Sequence, residues 1–277
     1  MKNILVPVDF SELSKVAARY ALGLAETYHC NVHLFAVQDI NSGPHALMNK
    51  YKLEAEMDRA TREDGAALLR QMQALSSNQI KITFATQTGY PIHSVIETYV
   101  HANHIDLIVM GSKGATGLKK VVLGSNAAAV INHSIVPVIV VPGSAVYKGI
   151  KSIVYATDMR HLDHEIHQIN ELVNDFDAKL HIIHVVPEGT SEEMNSDEPH
   201  SANIKTISYA TDHFHVFKST PVAETIDDFV LTHQADLLAL FTHKLEFFEK
   251  LLDTSVTRQL AFHSHVPLLS FNKTTTE

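Results

Sequence analysis

Gly111 and Gly114 are separated by two residues, and nine residues further on Gly124 is followed at once by Ser125 and Asn126. Glycine turns and the open start of a helix both present backbone N–H groups, and together they can wrap a phosphate chain. The flanking sequence suits that chemistry. A strand-like run, Ile105-Asp106-Leu107-Ile108-Val109-Met110, leads into the first glycine, and a helix-like run from Asn126 to His133 leads away from the last. Rival phosphate motifs are absent. No Gly-Lys-Ser or Gly-Lys-Thr marks a P-loop, and no Gly-x-Gly-x-x-Gly follows the first strand as a dinucleotide fingerprint.

The elements that would position this loop follow from the apolar pattern. Short runs rich in Val, Ile and Leu predict strands over 3–8, 31–38, 80–87, 105–110 and 136–141. Helical patterns fill the gaps at about 12–29, 46–76, 91–103 and 124–133, with Ser11 and Ser125 as expected caps. Strands without alternation are buried on both faces, so alternating βα units predict a parallel, doubly wound α/β sheet. Ligands of such sheets bind beyond the carboxyl ends of the strands, where strand order reverses.

Three segments reach that edge: Pro7-Val8-Asp9 ends strand one, Ala36-Val37-Gln38 ends strand two, and strand four runs into Met110-Gly111. An adenine can hydrogen-bond to a strand-end backbone such as Val37 and lie against apolar side chains. Asp9 can accept from a nucleotide hydroxyl or amine, or hold Mg²⁺ through water. Gly111 and Gly114 would let the backbone approach ribose and phosphate. Gly124, Ser125 and Asn126 would offer an anion the positive end of a helix. Lys113, Lys119 and Lys120 could offset phosphate charge.

The chain is also written twice. His133-Ser134-Ile135-Val136-Pro137 recurs as His263-Ser264-His265-Val266-Pro267, and at the same offset Pro91 meets Pro221, Asp106 meets Asp236 and Ser125 meets Ser255. Earlier in each half the offset is larger: Val8-Asp9 matches Thr157-Asp158, and Val32-His33-Leu34 matches Leu180-His181-Ile182. The second copy has therefore lost a segment between its second and third strands. Its strands are expected at 151–157, 179–186, 213–218, 236–241 and 266–271, and the polar stretch from Glu188 to His200 reads as a mobile loop. The short link Gly143 to Gly149 divides the chain into expected domains 1–145 and 146–277.

Charge separates the halves. Residues 1–145 carry 12 Lys and Arg against 11 Asp and Glu, a net of +1, whereas residues 146–277 carry 10 against 20, a net of −10. No basic patch invites nucleic acid, and no apolar run is long enough to span a membrane. Met1 to Pro7 enters a strand at once, without a signal-peptide pattern, and the lone Cys30 excludes an internal disulfide. The expected compartment is the cytoplasm.

The full spacing, Gly-two residues-Gly-nine residues-Gly-Ser, resembles the ATP-binding signature of the universal stress protein family. The resemblance spans the first half, from Ile4-Leu5-Val6-Pro7-Val8-Asp9 to Val136-Pro137-Val138-Ile139-Val140-Val141-Pro142, and two such halves look like a tandem member. It implies two five-stranded domains of the adenine nucleotide alpha hydrolase-like fold, strand order 3-2-1-4-5. It implies ATP as cofactor, with Mg²⁺ as its companion ion. Val8, Asp9 and Val37 would sit near adenine and ribose, and Gly111, Gly114, Gly124, Ser125 and Asn126 would hold ribose and phosphates. With the adjoining strand-end residues Pro7, Met110 and Ser112, these make up the expected binding set. The expected partners are ATP or another adenine nucleotide and a second copy of the chain in a homodimer, with neither nucleic acid nor membrane.

The second half departs from this pattern. Phe241, Lys244 and Thr254 stand where the first half has Gly111, Gly114 and Gly124, although Asp158 and Ser255 survive. It is expected not to bind ATP in the same mode. No nucleophile–base pair stands near the motif, so no catalytic residue is assigned; slow ATP hydrolysis or self-phosphorylation at Ser112 or Ser125 stays open.

The chain has 19 histidines. His161, His164 and His167 recur at helical spacing, His181 and His184 lie on one predicted strand, and His213 and His215 would face one side of another. Imidazoles one turn apart can share a zinc ion, but helical histidines at this spacing ordinarily form a solvated face, and no metal site is expected.

Overall fold

The computed structural model describes residues 1–39, 50–77, 80–114, 121–122, 124–159, 162–186, 188, 213–242 and 266–272. The chain divides into two compact units, Met1–Gly149 with Ser270–Glu277, and Ile150–Leu269.

The first unit is built on a parallel sheet. Strands β1 (Asn3–Pro7), β2 (Asn31–Gln38), β3 (Ile82–Thr88), β4 (Leu107–Gly111) and β7 (Val138–Val141) lie in the order β3-β2-β1-β4-β7. This is the expected 3-2-1-4-5 order, since β7 is the fifth strand of the unit's sheet. A short antiparallel ladder, β5 (Lys113–Gly114) with β6 (Val121–Val122), stands apart from it. Helices α1 (Glu12–Tyr28), α2 (Lys50–Leu75), α3 (Ile92–Ala102) and α4 (Ser125–His133) connect the strands. Ile4, Leu5, Leu107 and Val109 are wholly or almost wholly buried, as strands covered on both faces must be. The face that α1 buries is rich in alanine, Ala17, Ala18, Ala21 and Ala25, so its backbone can lie close to the sheet.

The second unit repeats the plan. Strands β8 (Ser152–Ala156), β9 (Lys179–Val186), β10 (Phe214–Lys218) and β11 (Leu237–Thr242), with β12 (Leu268–Asn272), which begins in this unit and ends beyond Leu269, follow the order β10-β9-β8-β11-β12. Helix α5 (Leu162–Phe176) follows β8, and α6 (Val222–Thr232) joins β10 to β11. The polar stretch 189–200 lies outside the described residues.

The repeated aspartates have the same task in both units. Asp106 Oδ2 accepts from the backbone N–H groups of Lys2 and Asn3 at 2.6 and 2.8 Å. Asp236 Oδ2 accepts from Lys151 and Ser152 at 2.7 and 3.0 Å. Each carboxylate pins the start of a unit's first strand to the strand beside it, a structural reason for this part of the repeat.

Candidate functional site

At the carboxyl edge of the first sheet lies a cavity of about 410 Å³, where strand order reverses between β1 and β4. Of the residues expected at a nucleotide site, Pro7, Val8, Asp9, Val37, Met110, Gly111, Ser112, Gly124, Ser125 and Asn126 line it. Gly114 pairs with Val121 in the β5–β6 ladder. The side chain of Lys113 and the whole of Lys119 and Lys120 lie outside the described residues. Ser11, Leu13, Ser14, Phe35, Ile92, Ile96, Ala127 and Val130 complete the wall and were not anticipated. Ile92 and Ile96 are one helical turn apart on α3, a spacing visible in the sequence; Phe35 and Val130 look like ordinary core residues there.

The wall has an apolar side and a polar side. Val8 N–H donates to the Phe35 carbonyl at 2.9 Å, and β1 ends at Pro7. Alternate residues of a strand direct their backbone groups to the same side, so the Val37 N–H and C=O point past the end of β1. A strand-end backbone edge with donor and acceptor groups is thereby set beside Val8, Phe35, Met110 and Ile96.

Asp9 is held rather than free. Its Oδ1 accepts from the Ser11 hydroxyl at 2.6 Å and from the Ser11 N–H at 3.1 Å. Burial pushes this carboxyl up, but the hydrogen bonds from Ser11 and Ser14 outweigh it and keep the group below its ordinary value. Asp9 is therefore ionised at neutral pH. Between the two residues, Phe10 adopts a left-handed backbone with φ of 62°. Ser11 itself caps α1, its hydroxyl accepting from the Ser14 N–H at 3.2 Å.

The fourth helix begins differently from expectation. Gly124 is its N-cap and Ser125 its first helical residue, and no side chain caps it. A helix start without a side-chain cap keeps N–H groups available to a ligand, and its dipole favours an anion. Next to it the Ser112 hydroxyl is buried and has no hydrogen-bond partner among the described residues. A buried hydroxyl is ordinarily satisfied, so this one suits a ligand oxygen.

Gly111 carries a packing constraint besides its place in the cavity wall. A Cβ there would stand 2.8 Å from the Leu13 carbonyl oxygen and 3.2 Å from the Leu13 Cβ. Its missing side chain makes room for the first turn of α1, so the glycine serves packing at the cavity floor.

A family model for the universal stress proteins matches residues 1–142 and 149–271. The chain belongs to the universal stress protein family. Two relatives from Methanocaldococcus jannaschii, both universal stress proteins, each match half of it. One is 31% identical over 144 residues, which is 50% of this chain and 81% of the relative. The other is 29% identical over 154 residues, 50% of this chain and 94% of the relative. A solved universal stress protein from Archaeoglobus fulgidus shares the fold along the whole length, with a TM-score of 0.71, 19% identity, and coverage of 99% of this chain and 97% of that one.

In this universal stress protein the second unit has no glycine where the first has Gly111. Phe241 is buried there, its ring edge-on to Tyr155 at 5.6 Å. Tyr155 in turn donates to the buried Glu165 carboxylate. Burial and that neighbouring carboxylate push the Tyr155 hydroxyl far up, so it stays protonated. Lys244, Thr254 and Ser255 lie outside the described residues.

The histidines separate into distinct groups. His164 and His167 are exposed on α5, and His161 lies outside the described residues. His184 Nδ1 lies 2.8 Å from the Thr157 carbonyl. His181, His213 and His215 come together, and His233, just past α6, joins them. The sequence reading missed His233; comparing it with its first-half counterpart, Asn103, was the available signal.

Proposed function

We propose that the first unit binds ATP or a closely related adenine nucleotide, one per chain, and that the protein is a nucleotide-dependent regulatory module of a stress response. One observation carries the reading. A single cavity combines an apolar slot beside a strand-end backbone, an ionised carboxylate, an unpartnered buried hydroxyl and a helix start without a side-chain cap. Its volume suits a ligand of nucleotide size.

On this reading adenine lies among Val8, Val37 and Met110, and the Val37 backbone recognises its edge. Asp9 accepts from the ribose or holds Mg²⁺ through water. Ser112, Ser125, Asn126 and the first N–H groups of α4 take the phosphates, with Gly114 near them on the ladder. Bound ATP would supply the phosphate chain that distinguishes one regulatory state from another. Asp9 is the one ionisable side chain among the described lining residues, and Ser11 already holds it. That favours a binding module over a rapid catalyst. None of the described helices is long and apolar enough to cross a membrane. Cytoplasmic residence and a homodimer complete the proposal, checked by cell fractionation and sedimentation.

Ser125→Glu tests the site. A carboxylate in the first turn suits the helix dipole and leaves folding intact, yet it repels phosphate. Titration calorimetry with ATP should give one site per chain in the parent, and an affinity lower by about tenfold or more in the variant. No binding at millimolar nucleotide, or binding indifferent to Ser125→Glu, would overturn the reading.

A further inference from the structure

The second unit carries a histidine cluster that the first does not. His181 lies near the start of β9, His215 near the start of β10, and His233 immediately follows α6. One ring nitrogen from each of the three lies within 4.8 Å of the others. The cluster sits at the end of the sheet where strands begin, opposite the edge at which doubly wound sheets bind nucleotides. We propose that His181, His215 and His233 form a binding site for a divalent transition-metal ion, with zinc the best match to an all-imidazole set.

Three observations converge on this. First, His181 Nδ1 and His215 Nε2 are buried and have no hydrogen-bond partner among the described residues. Buried polar atoms are normally satisfied, and a cation would satisfy both at once. Second, His233 Nδ1 lies 3.0 Å from the Phe229 carbonyl, in donating distance. That bond selects the tautomer with the proton on Nδ1 and leaves the Nε2 lone pair for a metal, the usual way a ligating imidazole is oriented. The Phe229 ring stacks on His233 at 3.8 Å and packs beside His215 at 4.8 Å, which limits how either ring can turn.

Third, the duplication supplies a comparison. At the matching positions the first unit has His33, Ala85 and Asn103, so only one of the three imidazoles is shared. There His33 Nδ1 simply approaches the Tyr99 hydroxyl at 3.3 Å. The second unit carries Phe229 in place of that tyrosine, which removes the hydroxyl and frees the space.

Ligand nitrogens of a tetrahedral zinc stand about 3.4 Å apart, so the rings must close by about 1.4 Å at most, within reach of small side-chain rotations. The fourth position falls to water or to His213, whose ring is 5.0 Å from that of His181.

The inference is independent of the nucleotide reading. Tag-free full-length protein, stripped with a chelator, is titrated with zinc against a chromophoric chelator. His215→Ala and His233→Asn are titrated alongside; each installs the residue that the first unit carries. One tight equivalent per chain is expected in the parent, weakened roughly tenfold or more in each variant. No tight equivalent in the parent, or one unchanged by both substitutions, overturns the proposal. Should a variant misfold, Co²⁺ added to the parent reads the ligands directly by NMR. Broadening of the His181, His215 and His233 ring signals ahead of all others, with or without His213, supports the site, and a set that lacks any of the three refutes it.

Discussion

A methyl group at position 111 would arrive 2.8 Å from the Leu13 carbonyl oxygen, and the atom it meets is backbone. Relief requires α1 or the end of β4 to move. Gly111→Ala should therefore cost about 1–3 kcal/mol of stability, measured by urea unfolding, even in the absence of any nucleotide. An unchanged midpoint would show that the helix yields freely. The example marks how much of the site could be read from residue types alone. Asp9, Val37 and Ser125 are recognisable because each stands beside a turn or strand end whose position the apolar pattern fixes. Leu13 is not, because nothing local says that its backbone will lie against a glycine almost a hundred residues away. His233 was missed for a related reason. Next to its own neighbours it is one polar residue ending a helix, and it gains meaning only from imidazoles on two other strands.

At the scale of elements, propensity and period carried most of the way. Strand β2 spans the predicted 31–38, and α1 and α4 begin within a residue of expectation, because buried parallel strands and alanine-rich helices contrast sharply with polar turns. The β5–β6 ladder was not foreseen, since two-residue strands have no period. The cap of α4 moved by one position, from Ser125 to Gly124, leaving that helix start to be satisfied by something other than a side chain. At α1 the opposite holds: the Ser11 hydroxyl accepts from Ser14 and donates to Asp9, tying the helix start to the cavity wall. Ser11→Ala should cost about 1 kcal/mol in thermal or urea unfolding through loss of the cap. A variant as stable as the parent would show that water replaces the hydroxyl.

For the whole molecule, the histidines make stability a function of pH; burial lowers His33 and His93 in the first unit, and the largest shift is that of His181 in the second. Burial, His213, His233, His215 and Lys179 push His181 down to about 4, from an ordinary value of 6.5. Burial, His233 and His213 also lower His215. The unfolded chain therefore takes up protons below pH 6.5 that the folded chain resists. The stabilisation is complete above pH 6.5 and is lost progressively as pH falls toward 4. In chelator-treated protein the urea midpoint should decline across that window, and His215→Ala should flatten the decline. Equal slopes for parent and variant would place the acid sensitivity elsewhere. The two units together also act as each other's control experiment. Phe10 and Met159 occupy matching positions and both take the left-handed backbone, with φ of 62° and 67°. Strain of this kind is commonly a sign of ligand chemistry. Yet Met159 keeps it in the copy whose Gly111 counterpart is a buried phenylalanine. The twist therefore belongs to the architecture of the strand-to-helix turn, inherited by both copies, and aims the residue before it at the sheet edge whatever that edge is used for.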